Sequence, residues 1–547
     1  MRRLIYLVFC LFAGSQLAAQ DAVLRAALYL SGAATEEEVP EAYIEIVETS
    51  PRIRINGKHL RPGLLSDYQI ASIADYRASH GDILSYEELA LVDGFGAEAV
   101  AALKPFLSLE SSRLPGNRDT VKVKALALLR GTLTSFGAKG RVSGESWRAG
   151  GTWRAGDGSF YGEYAARWGR VLVGDYHLRY GQGLVSWTGF SLSSLSTVDA
   201  FVLKPTGITP AWSYTAAANR GVAYEYSTRH LRAAVFGSLQ GTFGIHADWR
   251  WGSGQIGASV LLSTHPVILS EAKNLWSFSL DGRYNFRGAD LAWETACAKH
   301  SFAAKGAFRI PFGPFRLAFQ ARGIPSKFSG RKYGEYGAAA GASYKSERWQ
   351  ALAGKTGFGS SVPAHQLSLT ADASLLPIPG VDPRRFQLRI YGSWLWQFRA
   401  AWAVELRLTQ RYRNYENPRT AFRADVRYGN GPWLSVLRAE AVHCETIGLL
   451  GYWEGGYKAS ALAGYFRVTG FFIPQWNDRI YCYERDAPGT FSVPAYYGEG
   501  AALSLIGSWK HRFGRWFTLR LYVRGAYLLR RSRESAPTLN LQLQAEL

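Results

Sequence analysis

The 547-residue chain has a net charge of +20, 14% aromatic residues and 58 glycines. Beyond its first segment it holds no long uncharged apolar stretch, which excludes a membrane-crossing helix. Its cysteines, Cys10, Cys297, Cys444 and Cys482, are too scattered for a disulfide framework or a metal-ligand cluster, although one pair among the last three is able to close.

Met1-Arg2-Arg3, the apolar run Leu4 to Ala13 and the small pair Ala18-Ala19 follow the order of a secretory signal peptide. This predicts export with residues 1–19 removed, because the apolar run is about ten residues long, half of what a spanning helix needs. Residues 20–35 read as a short lead-in. From Glu36 to Leu109 the apolar period is three or four, which predicts a small all-α domain over 36–109. Its first helix is Glu36–Glu48, interrupted at Pro40. Ser66 and Gln69 read as a capping box with Leu65 and Ile70 as hydrophobic staple, and Gly81 supplies the left-handed stop. Ser85 and Glu88, with Leu84 and Leu89, repeat the device. Asp93-Gly94-Phe95-Gly96 is then a tight hairpin before a last helix from Ala97 to Lys104, ended by Pro105.

Charge separates this domain from the rest of the chain. Residues 36–112 hold 6 Lys/Arg and 14 Asp/Glu, a net of −8; with the +2 of residues 1–35 set aside, residues 113–547 carry +26. An acidic module precedes a strongly basic tract, which speaks to partners more than to fold.

Residues 110–120, with Pro115, Gly116 and Asn117, read as a linker. From 121 to 547 the period becomes two. Leu539, Leu541, Leu543, Ala545 and Leu547 share one face of a strand, with Asn540, Gln542, Gln544 and Glu546 on the other. The same alternation recurs over 517–524 and 386–394. Roughly twenty to twenty-four such segments, each about ten residues long, fit strands that cross a bilayer at a tilt, and an even number is expected. Only helices and closed barrels satisfy every backbone group in lipid. The tract is therefore read as a large antiparallel transmembrane β-barrel of an outer membrane, ahead of a secreted β-sandwich array of similar composition. The irregular stretch 186–219, with Pro205 and Pro210, is long enough to fold into the lumen as a constriction.

The segments Leu64-Leu65-Ser66-Asp67-Tyr68-Gln69-Ile70, Asp75-Tyr76-Arg77, Leu84-Ser85-Tyr86-Glu87-Glu88-Leu89 and Val92-Asp93-Gly94-Phe95-Gly96 resemble a helix-hairpin-helix domain of the competence-receptor type. Val173-Gly174-Asp175-Tyr176, Tyr180-Gly181-Gln182-Gly183-Leu184, Tyr483-Glu484-Arg485-Asp486 and Phe491-Ser492-Val493-Pro494 extend the resemblance to Bacteroidetes outer-membrane proteins that join such a domain to a barrel. The first resemblance implies that hairpin amides around Gly94, Phe95 and Gly96, with Lys104 nearby, hold phosphate oxygens or a protein backbone. Nucleic-acid affinity rests on cations, and this module is acidic, so the hairpin is expected to dock a protein rather than DNA.

On the barrel, Arg389, Arg407, Arg423, Arg427, Arg520 and Arg524 occupy polar-face positions and are expected to line the lumen, since charge facing lipid costs about 2–4 kcal/mol at the midplane. They either pair with neighbours such as Glu405 and Asp425 or receive the acidic module. No metal-binding helix, phosphate loop or nucleophile elbow is present in the sequence, so neither an enzyme nor a cofactor is expected. The expected function is an outer-membrane channel or envelope-assembly protein. Its periplasmic module docks a periplasmic partner or the barrel's own mouth. The alternatives are a DNA-binding receptor or uptake channel, and a structural envelope protein.

Overall fold

The computed structural model describes residues 18–547 except 51, 58–59, 61–62, 111–122, 133–134, 145, 155, 189–194, 213–217, 264–274, 299–300, 327, 329–333, 347–363, 377–384, 400, 515, 532 and 535–536. Most of the signal segment and nearly all of the linker thus lie outside the described residues.

The strand Thr242–Trp251 shows what the alternation does. Phe243, Ile245, Trp249 and Trp251 turn outward at 51%, 52%, 54% and 45% exposure, while His246, Asp248 and Arg250 turn inward at 2%, 2% and 5%. The terminal strand Thr538–Glu546 repeats it, with Leu539, Leu541 and Leu543 outside and Gln542 and Gln544 buried inside. An apolar exterior around a polar interior inverts the order of a water-soluble sheet and matches lipid as the outer solvent.

Antiparallel pairing of these strands closes a barrel of 24 strands among the described residues. Closure comes from the terminal strand, which pairs with Phe517–Arg530 on one side and with Lys124–Thr132 on the other. The two rims differ. The rim that carries both barrel termini has tight turns such as 252–253, 287–288 and 431–432. The opposite rim sends two long segments inward, one between strands ending at 179 and starting at 219, whose described residues include 180–188 and 195–212, and one over 474–497. In the first, the short strand Gly207–Pro210 pairs with the inner end of Gly169–Arg179, and Val198, Ala200, Phe201 and Val202 are buried.

Among the described residues five α-helices precede the barrel: α1 (Ala18–Ser31), α2 (Glu41–Thr49), α3 (Asp67–His80), α4 (Tyr86–Leu91) and α5 (Gly96–Leu103). Ala26, Ala27, Leu30, Ile46, Ile55, Leu65, Ile73, Leu89, Leu103 and Leu107 form one core among them. The lead-in expected over 20–35 is therefore corrected: it is mostly α1, whose small apolar face packs on α2 and α5. The domain is also not wholly helical, since Ile53–Arg54, after α2, pairs in parallel with Leu107–Ser108, after α5.

The caps show which local signals survive packing. Ser66 accepts the Gln69 N–H and Gln69 returns to the Ser66 N–H at 2.9 Å, a complete capping box, with Leu65 and Ile70 in the core. At the second site Ser85 accepts the Glu88 N–H, but the Glu88 carboxylate takes the Leu84 N–H at 2.7 Å. Leu84 is 77% exposed and makes no staple with buried Leu89. Proximity in sequence does not by itself turn a side chain inward.

Candidate functional site

The helical module sits inside the barrel. Its partners come from strands and turns around most of the circumference, among them Arg141, His177, Arg229, Arg316, Lys345, Arg423 and Arg438. Near the rim that carries the barrel termini, Asp75 meets Arg229 at 2.6 Å, and Glu98 meets Arg316 at 2.6 Å and Lys345 at 2.7 Å. Deeper in the lumen the contacts come from the segment 36–48 and from residues 29–34 just before it.

Glu37 lies in the single-turn helix Glu36–Glu38. Its carboxylate meets Arg438 at 2.7 Å and Arg423 at 3.1 Å and accepts the Tyr483 N–H at 3.2 Å. Burial alone would raise its pKa, but Arg423 and these hydrogen bonds hold it below the ordinary carboxylate range. Glu38 accepts from the Ser196 hydroxyl at 2.6 Å. On α2, Glu45 lies 3.3 Å from His177 Nε2 and accepts the Trp212 N–H. One turn on, Glu48 accepts the Gly489 N–H at 2.7 Å, and the Glu48 carbonyl accepts from Arg141. Burial pushes the Glu48 carboxyl up.

The two inward segments thus grip one short acidic stretch, the first through Ser196, Trp212 and His177 at its edge, and 474–497 through Tyr483 and Gly489. The first also reaches α1. Thr197 donates to the Gly32 carbonyl at 2.5 Å, and Lys204 donates to the Tyr29 carbonyl at 2.8 Å. Gly32 is required here: its φ is +69°, and a Cβ would lie 2.8 Å from the Ala200 backbone.

The six barrel arginines singled out in the sequence do not form one group. Arg407 pairs with Glu405 at 2.5 Å and reaches the Ala34 carbonyl at 3.4 Å. Arg423 pairs with Asp425 at 2.8 Å as well as with Glu37, and Arg427 pairs with Glu405 at 2.8 Å. Arg524 binds Glu484 and lies 3.6 Å from Asp486, both in the inward segment 474–497. Arg520 pairs with Glu546 at 3.0 Å and lines a cavity between the barrel wall and the module. Arg389 lines a separate cavity toward the opposite rim.

The hairpin residues are divided too. The Gly94 carbonyl accepts from the Gln69 amide at 2.8 Å, and a Cβ on Gly94 would lie 2.7 Å from the Tyr68 ring. Gly94 is thus engaged within the module. Phe95 packs on the module core, Gly96 is exposed, and Lys104 lies over the Tyr86 ring at 4.8 Å. No group of His, Cys, Asp and Glu with metal-holding geometry occurs among the described residues. Cys297, Cys444 and Cys482 are all free thiols.

Sequence reasoning missed Arg438, Glu37, Glu45, Glu48 and Gly489 as individual contacts. The opposite charges of the two parts were visible, but which carboxylate met which cation was not. Arg438 was further hidden because Val436 and Val442 share its inward face and break the polar pattern.

Closure, the apolar exterior and the polar lumen define an outer-membrane β-barrel protein with its lumen occupied by its own helical module. No protein-family model matches the chain, and no curated protein matches it. Among solved structures it is similar to an Escherichia coli P pilus tip assembly intermediate, PapC-PapD-PapK-PapG, at 10% identity and TM-score 0.37, covering 79% of this chain and 62% of that one. The chain therefore spans under two thirds of that protein's length. It is also similar to the outer membrane protein OpdK of Pseudomonas aeruginosa, at 10% identity and TM-score 0.31, covering 78% of this chain and 98% of that one. OccAB3 of Acinetobacter baumannii stands at 9% identity and TM-score 0.30, covering 78% and 99%.

Proposed function

We propose that this protein is a non-enzymatic outer-membrane channel whose acidic N-terminal module plugs the lumen from the periplasmic side and must shift for passage. The observation that carries the reading is Glu37, held between Arg423 and Arg438 of neighbouring strands and the Tyr483 amide of an inward segment. Short turns mark the periplasmic rim of such barrels, which orients the termini and the helical module toward the periplasm.

In this reading the module is a helix-hairpin-helix domain adapted to hold protein. Its acidic residues satisfy the barrel's cations, so the attachment is electrostatic and reversible. The DNA-receptor alternative rests on the hairpin resemblance alone, and the module's acidic charge, the internally engaged Gly94 and Glu98 just after the hairpin weigh against it. An exposed Gly96 leaves room for a periplasmic protein that draws the module out.

The test is single-channel conductance of the full chain and of a variant lacking residues 20–112, each in planar bilayers. A conductance that rises at least severalfold on deletion supports the plug. Equal conductance overturns it, and silence in both leaves a structural envelope role.

A further inference from the structure

Toward the rim away from the barrel termini lies a cavity of about 1000 Å³, floored by Glu37, Glu38, Val39 and Pro40 of the module. Five arginines line it: Arg389, Arg411, Arg413, Arg419 and Arg479. Their placement is unusual for a solvated wall. Arg389 lies directly opposite Arg411 on the adjacent strand, and Arg411 lies directly opposite Arg419 on the next. Side chains in such positions start about 4.5–5.5 Å apart at Cβ, and like charges there repel.

Four carboxylates share the lining with these five arginines, but among the described residues none of them is ion-paired with Arg389 or Arg419. Glu37 is engaged by Arg423 and Arg438, and Glu38 by Ser196. Glu445 accepts from the Asn477 amide at 2.5 Å. Glu416 pairs with Arg413 at 2.7 Å and stands 3.8 Å from Arg411. Arg419 and Arg479 donate to neutral oxygens, Arg419 to the Arg479 carbonyl at 2.7 Å and Arg479 to the Tyr481 hydroxyl at 2.9 Å. Arg389 has no ion pair among the described residues. Asp372 lies opposite Arg389 on the other side but is taken by Arg322 at 2.8 Å. Three guanidiniums in a row, of which only Arg411 has a wall carboxylate within 4 Å, are a fork-shaped donor array, the geometry that carboxylate and phosphate groups satisfy bidentately.

We infer that this cavity is a binding site for a small, multiply charged anion bearing carboxylate or phosphate groups, held across Arg389, Arg411 and Arg419. It deepens the channel reading by naming the class of solute that the upper lumen selects. Uncharged solutes of the same size find no comparable array on this wall.

The test is equilibrium dialysis of the detergent-solubilised full chain against labelled citrate and, separately, pyrophosphate at low salt. Saturable binding of either is expected, and the one bound more tightly identifies the preferred group. Arg389→Gln with Arg411→Gln should weaken it at least tenfold. Arg531→Gln, on a side chain 84% exposed and outside the cavity, should not. Without ligand the double variant should melt no lower than the parent, because it removes repulsion. Should it fail to fold, Arg389→Gln alone takes its place, with the same expected loss. No saturable binding to the parent, or binding unchanged in the variant, overturns the site. Citrate binding without conductance, before or after deletion of 20–112, overturns the channel and leaves the site. Conductance without binding does the reverse.

Discussion

Arg438 Nη1 lies 2.7 Å from Glu37 Oε1 and so joins the wall strand Trp433–His443 to the N-terminal module inside the lumen. Arg438 also meets Asp425 at 2.7 Å, so the wall keeps one counter-charge when the module leaves. That arrangement suits a contact made and broken, because neither state strands a buried guanidinium without a partner.

Glu37→Gln should weaken module attachment by about 1–3 kcal/mol, the usual cost of losing a buried charge-assisted hydrogen bond. Because the folded-state pKa of Glu37 is depressed, its contribution is present above the ordinary carboxylate range and is lost as pH falls through the lower value. Limited proteolysis of the module across an acid series should therefore show loosening in the parent. The Gln variant should start looser and change less.

Glu48→Gln should do the opposite. Burial raises the Glu48 pKa, so its contribution is full in acid and is lost as pH rises through the raised value. A glutamine keeps an acceptor for the Gly489 N–H without the buried charge. At neutral pH the module of this variant should resist protease longer than the parent, and in acid the two should converge.

Gly94→Ala and Gly96→Ala separate packing from backbone strain. Both glycines have positive φ, +80° and +79°, which costs any L-residue about 1–2 kcal/mol. Only Gly94 faces a ring, with Tyr68 2.7 Å from the added Cβ, while Gly96 faces open space. Protease resistance of the module should fall further for Gly94→Ala than for Gly96→Ala.

Thiol labelling should rank the cysteines. Cys444 lines the arginine-rich cavity and is half-buried, whereas Cys482 is 1% exposed against Arg438 and Arg467. A small anionic thiol reagent should modify Cys444 well before Cys482, as read by mass spectrometry of the folded protein.

Leu541→Arg tests the exterior. Leu541 is 46% exposed on the closing strand, and an arginine there faces lipid at a cost of up to about 2–4 kcal/mol. Gln542→Arg, one residue on, points inward. Heat-modifiable gel mobility after refolding in lipid should be lost more readily by the first than by the second.

The barrel was legible because its signal is local and repeated. A period of two over many segments states which side chains meet lipid, and the terminal strand's Leu541 and Gln542 needed no tertiary context to be assigned to opposite faces. The capping box at Ser66 and Gln69 was legible for the same reason, since its partners are three residues apart. The net charges of 36–112 and 113–547 already announced an attraction between the two parts. Tertiary structure alone decided where that attraction is spent. The pairing of Glu37 with Arg423 and Arg438 spans 386 and 401 positions of chain, and no short-range pattern encodes it. It also decided that α1 belongs to the module core, because a small apolar face of alanines shows itself only once α2 and α5 cover it. The row Arg389, Arg411, Arg419 likewise exists only through the register of three consecutive strands, which sets these residues directly opposite one another.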